Sequence, residues 1–263
     1  MIAIVLAGGY ATRLQALCND VPKPLLKVAG KPIVGHIFDK LAEVEDVRHV
    51  IISTNLRFQD QFRAWLDSNP RNGAEIVVDR SCCEEEKLGA VASLAQTTST
   101  IDDDCLIVAG DNFFTSSLRP MFHDFRKRSS PVIALYDVKD VELARQYSTV
   151  TVGAEGRITS LNEKPAKPET TLIGTCIYML PKRTLRRLKE YVVGAWDRDS
   201  PGRFMGWLCK REPVYGYVLE GHWWDIGTAD QYYEGNRVLY VEKVLSPIML
   251  ERHSPTYRTF KEM

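Results

Sequence analysis

The chain has 263 residues, of which 44% are hydrophobic and 26% charged, and its formal net charge is zero. That composition is of the ordinary globular kind, long enough to bury a core without disulfides or metals, and it excludes the overall positive field that draws a protein to nucleic acid. The six cysteines include no C-x-x-C pair, and no apolar run is long enough for a membrane span, so free thiols, a cytoplasmic location, no membrane and no disulfide framework are expected. The opening "MIAIVLAGG" carries no basic leader and no small-residue cleavage site, so no signal peptide is expected.

In chain order, "IAIVLA" is a short, wholly apolar run of the kind buried on both faces of a sheet. "KPIVGHIFDKLAEV" places Ile33, Ile37, Leu41 and Val44 on one helical face. "HVIIST" predicts a second strand, and Phe58, Phe62, Trp65 and Leu66 a second helical stripe. "AEIVVD", "LGAVASLAQT", "CLIVAGD", "LRPMFHDFRKR" and "PVIALYDV" continue the alternation of strand and helix. Such alternation predicts a mostly parallel α/β sheet, open and Rossmann-like, with helices on both faces and ligands beyond the carboxyl ends of its strands.

The second half changes character. "STVTVGAEGRITSLNEKP" alternates around a Gly-rich turn and predicts a hairpin, "TLIGTCIYML" a strand, and "KRTLRRLKEYV" and "PGRFMGWLCKR" two helices. "VYGYVLEGHWWDIG" is strand-like, and a last helix is expected to start at Thr228, where Thr228 and Gln231 fit a capping box. The expected organisation is one domain over 1–236, with a first half of about 1–130 and a second half of about 131–236 that inserts β structure, followed by an appendage over 237–263.

Gly8 and Gly9 follow the first strand, where backbone N–H groups can approach an anion closely; a plain tight turn would use the same residues. Arg13 and Lys23 lie just beyond, the lysine fenced by Pro22 and Pro24. A guanidinium fork and a mobile ammonium held in a rigid loop suit polyphosphate. The chain has no G-x-G-x-x-G, no G-K-[ST] and no G-x-S-x-G, which sets aside a dinucleotide fold, a Walker loop and a nucleophile elbow. Asp111 and Asp225 fall near strand ends and could share a hard cation with phosphate oxygens; each could equally cap a helix. His36, His222, "CCEEE" and "RKRSS" take bland readings: a packed histidine, an indole neighbour, a solvated loop and a helix C-terminus.

"LAGGYATRL…VPKPLLKVAGKPI" resembles the signature of the sugar-1-phosphate nucleotidyltransferases, or nucleotide-sugar pyrophosphorylases, with the glucose-1-phosphate thymidylyltransferase branch nearest. "AGDN", "NEKP", "WWDIGT" and "EKLGAVASL" extend the resemblance over residues 1 to 236, although Ala11 stands where that pattern has glycine. The resemblance implies a GT-A-like fold and Mg²⁺-dependent nucleotidyl transfer from a nucleoside triphosphate to a small phosphate-bearing acceptor, a sugar 1-phosphate first. It assigns nucleotide contacts to Leu6, Ala7, Gly8, Gly9, Gly89 and Asp111, and acceptor contacts to Asn112, Ser148, Glu163, Lys164 and Gly174. Arg13, Lys23 and Lys164 become the catalytic cations, and Asp111 and Asp225 the metal ligands. Ser148 and Cys176 stand where the family tends to have glycine, which implies added bulk near the acceptor.

Two other readings stay open. Cytidylyltransferases acting on a phosphonate or phosphocholine-like acceptor resemble the same N-terminal signature. A non-catalytic nucleotide-binding regulator could keep the fold, but both aspartates are present. A homo-oligomer is compatible with all three.

Overall fold

The computed structural model describes residues 1–10, 20–71, 73–194 and 196–240. Thirteen strands are found among them. β1 (Ile2–Leu6), β4 (His49–Asn55), β5 (Ala74–Asp79) and β6 (Cys105–Ala109) form the parallel centre in the order β6-β1-β4-β5. The first apolar run is thus central, with Ile4 flanked by Ile51 and Ile107.

The long strand β11 (Leu172–Leu180) joins β6 in the antiparallel sense and carries the acceptor-side strands. β9 (Ser148–Val152) and β10 (Ile158–Glu163) are the hairpin expected from the alternating pattern. β8 (Val132–Asp137) pairs with β11, and β12 (Tyr215–Val218) with β8. The sheet is therefore largely parallel at its centre and mixed at one side. The stretch read as one strand-like segment after residue 213 is two: β12, then β13 (Trp223–Asp225), which turns away to pair with β7 (Asn112–Phe114). A further short hairpin joins β2 (Lys27–Val28) and β3 (Lys31–Pro32).

Period-two alternation divides the buried side chains between two layers. Ala3, Val5, Ile52, Leu106 and Val108 pack with the helices Ile33–Ala42, Gln59–Ser68 and Arg119–Arg128. Ile4, Ile51, Cys105 and Ile107 face the helices Ala90–Thr97, Lys182–Val193 and Pro201–Cys209. The stripe Ile33, Ile37, Leu41 and Val44 is fully buried, and so are Phe58 and Phe62. The basic end of Arg119–Arg128 is engaged locally: Arg128 pairs with Asp124 at 2.8 Å and lies over the Tyr215 ring. The last helix, Ala229–Tyr240, follows Thr228, whose Oγ1 accepts from the Gln231 N–H at 3.3 Å. The Gln231 side chain reaches back one residue further than a capping box requires, accepting from the Gly227 N–H at 2.9 Å. The expected boundary at 236 falls inside this helix, and residues 241–263 of the appendage lie outside the described residues.

Phe62 has no solvent exposure. Phe62→Ala should cost about 3–5 kcal/mol of stability, measured as a lower urea midpoint with an unchanged denaturant slope.

Candidate active site

The parallel strands end on one edge: β1 leads to Gly8-Gly9, β5 ends in Asp79, and β6 leads to Gly110-Asp111. A cavity of about 620 Å³ opens there, between this edge and the acceptor-side strands. Leu6, Gly8, Gly9, Lys23, Gly89, Asp111, Lys164 and Asp225 all line it, although they span most of the sequence. Arg13 lies outside the described residues.

The proline fence around Lys23 has a geometric reason. Pro22 is extended (φ −65°, ψ 144°) and leads into a 3₁₀ turn over Lys23–Leu25, closed by the Leu25 N–H on the Pro22 carbonyl at 2.9 Å. Pro24 is buried, and a Cβ on Gly110 would come within 2.7 Å of its ring. Only glycine allows that approach, which sets the lysine beside the strand end. The Lys23 ammonium then lies 3.4 Å from Asp111 Oδ2.

Asp225 reaches the same cavity through β13. Its register opposite Asn112 in β7 places it next to Asp111 in the chain path, and the Ile226 N–H donates to the Asp111 carbonyl at 3.0 Å. Asp111 precedes a strand and not a helix, and Thr228 Oγ1 caps the last helix. Both carboxylates, with Glu163, lie in the electrostatic surroundings of Cys176, whose thiol burial pushes up to about 12. Burial also drives the Tyr147 phenol far above its ordinary range, and the charges of Asp225 and Asp111 add to the effect. Tyr147 accepts from Gln231 Nε2 at 3.1 Å and meets the Trp223 ring edge-on at 5.4 Å.

Lys164 follows β10 with a left-handed backbone (φ +45°), its N–H donating to the Tyr147 carbonyl at 3.0 Å. A lysine held in that region is strained, and such strain concentrates at functional sites. The four other residues assigned by the resemblance to the acceptor, Asn112, Ser148, Glu163 and Gly174, lie off the cavity wall, as does Ala7, assigned to the nucleotide. Asn112 is buried and accepts from Trp223 Nε1 at 2.8 Å. Ser148 is buried and donates to Glu163 Oε2. Gly174 sits within β11 beside a register shift. Ala7 is buried too, its N–H on the Ser53 carbonyl at 2.7 Å. Of the two side chains standing where the family tends to have glycine, Cys176 therefore lines the cavity and Ser148 does not.

The cavity also contains residues the motifs did not single out: Tyr10, Asp79, Gln146, Tyr147, Asp199 and Gln231. Tyr10 donates to Ser81 Oγ at 3.0 Å, and Ser81 donates its N–H at 2.9 Å and its hydroxyl to Asp79 Oδ1. Tyr10 adjoins the diglycine, Asp79 ends β5 and Gln231 lies in the last helix, whereas Gln146, Tyr147 and Asp199 come from segments between elements. The two histidines pack against rings: His36 Nε2 lies 2.8 Å from the Val28 carbonyl with its ring on Phe113, and His222 stacks on Trp224. Among the described residues no three His, Cys, Asp or Glu side chains converge as a metal cluster.

Gly89 and Gly9 differ in what they require. Gly89 is left-handed (φ +89°), and a Cβ there would stand 2.5 Å from the Arg198 carbonyl oxygen, whereas a Cβ on Gly9 would meet nothing within 4 Å. Gly89→Ala should cost about 1–3 kcal/mol of stability, and Gly9→Ala less than about 0.5 kcal/mol, as read from thermal unfolding of the two variants.

Comparison with known proteins accords with this geometry. The nucleotidyl transferase family profile matches residues 2–241. The bifunctional protein GlmU of Methanocaldococcus jannaschii is 26% identical over 91% of this chain and 54% of its own. The mannose-1-phosphate guanylyltransferase of Mycobacterium tuberculosis is 26% identical over 89% of this chain and 63% of its own. This chain thus spans between about half and two thirds of those two relatives. The UTP–glucose-1-phosphate uridylyltransferase AglF of Haloferax volcanii is 29% identical over 68% of this chain and 71% of its own. Among solved structures, a UDP-glucose pyrophosphorylase complexed with UDP-glucose superposes with a TM-score of 0.77 at 18% identity, covering 92% of this chain and 98% of that one. At that identity the likeness shows the fold. The family profile, running from β1 through the last helix, shows the rest: this chain belongs to the nucleotidyl transferase family.

Proposed function

We propose that this chain catalyses nucleotidyl transfer from a nucleoside triphosphate to a sugar 1-phosphate, giving a nucleotide-sugar and pyrophosphate. The observation that carries the reading is the convergence, in one cavity of a nucleotidyl transferase family member, of the diglycine turn with Lys23, Lys164, Asp111 and Asp225. An oxygen of the acceptor phosphate attacks the α-phosphorus, the bond from that phosphorus to the bridging oxygen breaks, and pyrophosphate leaves with the bond's electrons. No covalent protein intermediate is needed, and positioning with charge neutralisation supplies the rate.

In this reading the turn from Leu6 to Gly9 and the segment around Gly89 bound the nucleotide, with Arg13 on the leaving pyrophosphate. Lys23 neutralises phosphate charge near the reacting phosphorus, released from Asp111 as the donor enters. Lys164 holds the acceptor's phosphate, and Glu163 and the backbone near Gly174 stand behind it. Asp111 and Asp225 both line the cavity and would hold Mg²⁺ through their hard carboxylate oxygens. When bound there, Mg²⁺ supplies charge neutralisation on the phosphates. In this reading residues 1–130 form the donor half and 131–236 the acceptor half of the domain. The free thiols of the described cysteines suit the cytoplasm, and no helix of the described residues is long and apolar enough to cross a membrane.

Cys176 favours a second reading. Its side chain lines the cavity on the acceptor side, so a smaller acceptor such as a phosphonate or phosphocholine, with CTP as donor, would fit where a hexose is crowded. The test is pyrophosphate release from ATP, CTP, GTP, UTP and dTTP, each crossed with hexose 1-phosphates, phosphocholine and small phosphonates. Turnover with a hexose 1-phosphate is expected; activity with CTP and a non-sugar acceptor alone would promote the second reading, and no activity in any pairing would sink both.

On the productive pair, Asp111→Asn and Asp225→Asn should each lower kcat by about 10²-fold or more with the fold retained. Arg13→Ala should lower kcat by more than it raises the triphosphate Kd, separated by steady-state kinetics and calorimetry.

A further inference from the structure

The helix Ala90–Thr97 borders the cavity on the donor side, yet its cap comes from more than a hundred residues away. The Ala90 N–H donates to Asp199 Oδ1 at 3.1 Å, and those of Val91 and Ala92 to the Arg198 carbonyl at 2.8 and 3.4 Å. No side chain adjoining the helix caps it. Its first three orphan N–H groups are thus satisfied by the loop before the acceptor-side helix Pro201–Cys209. Asp199 uses its other oxygen too: Oδ2 lies 2.8 Å from the Lys87 ammonium, which also pairs with Glu84. These partners raise the Lys87 pKa to about 12. The loop is itself braced, with the Asp199 N–H on Asp197 Oδ1 at 2.9 Å and Asp197 facing Arg203. Gly89, between Lys87 and the helix, has room for no side chain against Arg198. Glu84, Lys87, Gly89, Ala90, Asp199 and Pro201 all line the cavity.

We propose that Asp199 is a positioning residue for the nucleoside triphosphate: by clasping Lys87 and the start of the helix Ala90–Thr97, it holds segment 84–90 in the shape that receives the donor. The inference rests on the proposed function. An exposed ion pair contributes little to global stability: Lys87 is 37% and Asp199 50% exposed. Its effect falls instead on the local population of the receptive segment. If opening of the clasp leaves segment 84–90 incompetent, donor affinity drops by the fraction of time the clasp is open. The donor wall is then assembled by the acceptor half, and a change in loop 197–201 reaches the nucleotide without touching it.

The experiment measures Kd for ATP, CTP, GTP, UTP and dTTP by calorimetry, with hydrogen exchange at Ala90–Ser93 and thermal unfolding alongside. Asp199→Ala should weaken the best triphosphate by about 10-fold and speed exchange of these amides, with acceptor KM changed by less than about twofold. Asp199→Asn keeps an acceptor for Ala90 but loses the charge, and should match Lys87→Met at about threefold weaker binding. Because both break the Lys87–Asp199 pair, and Lys87→Met also breaks the pair with Glu84, the Lys87→Met/Asp199→Asn double variant should be no weaker than Lys87→Met alone. Faster exchange with an unchanged Kd would overturn the proposal and leave the functional reading intact. So would equal losses for donor and acceptor, or additive single effects. If the wild-type protein binds none of the five triphosphates, the proposal falls together with the functional reading.

Discussion

The pairing of β13 with β7 is the contact on which the candidate site depends. Three residues from the last quarter of the chain lie antiparallel to three that follow β6, and this ladder alone carries Asp225 to the strand edge that presents Asp111. Side chains alternate in a ladder, so a slip of one residue would turn Asp225 to the opposite face. The register is held from both sides: Phe113 and Trp224 stack at 5.5 Å on one, and Asn112 accepts from Trp223 on the other. The two tryptophans of "WWD" therefore have separate tasks, and the buried Asn112 is a register device.

A second consequence concerns how the cavity divides labour. Its donor wall hangs on parallel strands whose ends meet at one edge, an arrangement that repeats with every strand added. Its acceptor wall hangs on β9, β10 and β11, which run antiparallel and meet that edge from a different direction. Side chains at the join belong to both systems. Tyr147 links Lys164 to the last helix through Gln231, and the Ser148–Glu163 bond fixes the strand pair behind it.

Much of the fold was legible because buried parallel strands are short apolar runs and their helices carry stripes at 3.6-residue spacing. "AEIVVD" is β5 residue for residue. The three-residue strands β7 and β13 were not legible, since a period of two needs more residues than they have, and the segment through "HWWDIG" merged two strands that pair with different partners. The site divides in the same way. Lys23, Asp111, Lys164 and Asp225 stand in motifs with a recognisable order. Gln146 and Asp199 carry no local pattern and enter the cavity only when the sheet closes. Ser148 was read as bulk beside the acceptor, but its hydroxyl is turned to Glu163, a partner fifteen residues away across the hairpin.

The central place of β1 has a consequence for how the chain is made. Ile2 to Leu6 precede both partners in the chain: one neighbouring strand is β4 and the other, β6, is residues 105–109. At about 5–20 residues per second, roughly 100 residues of synthesis leave one edge of this wholly apolar strand unpaired for about 5–20 seconds. An open apolar edge of that kind is a template for pairing with another chain. That exposure ends when β6 is made and pairs with β1 from Ile2↔Cys105 to Leu6↔Ala109.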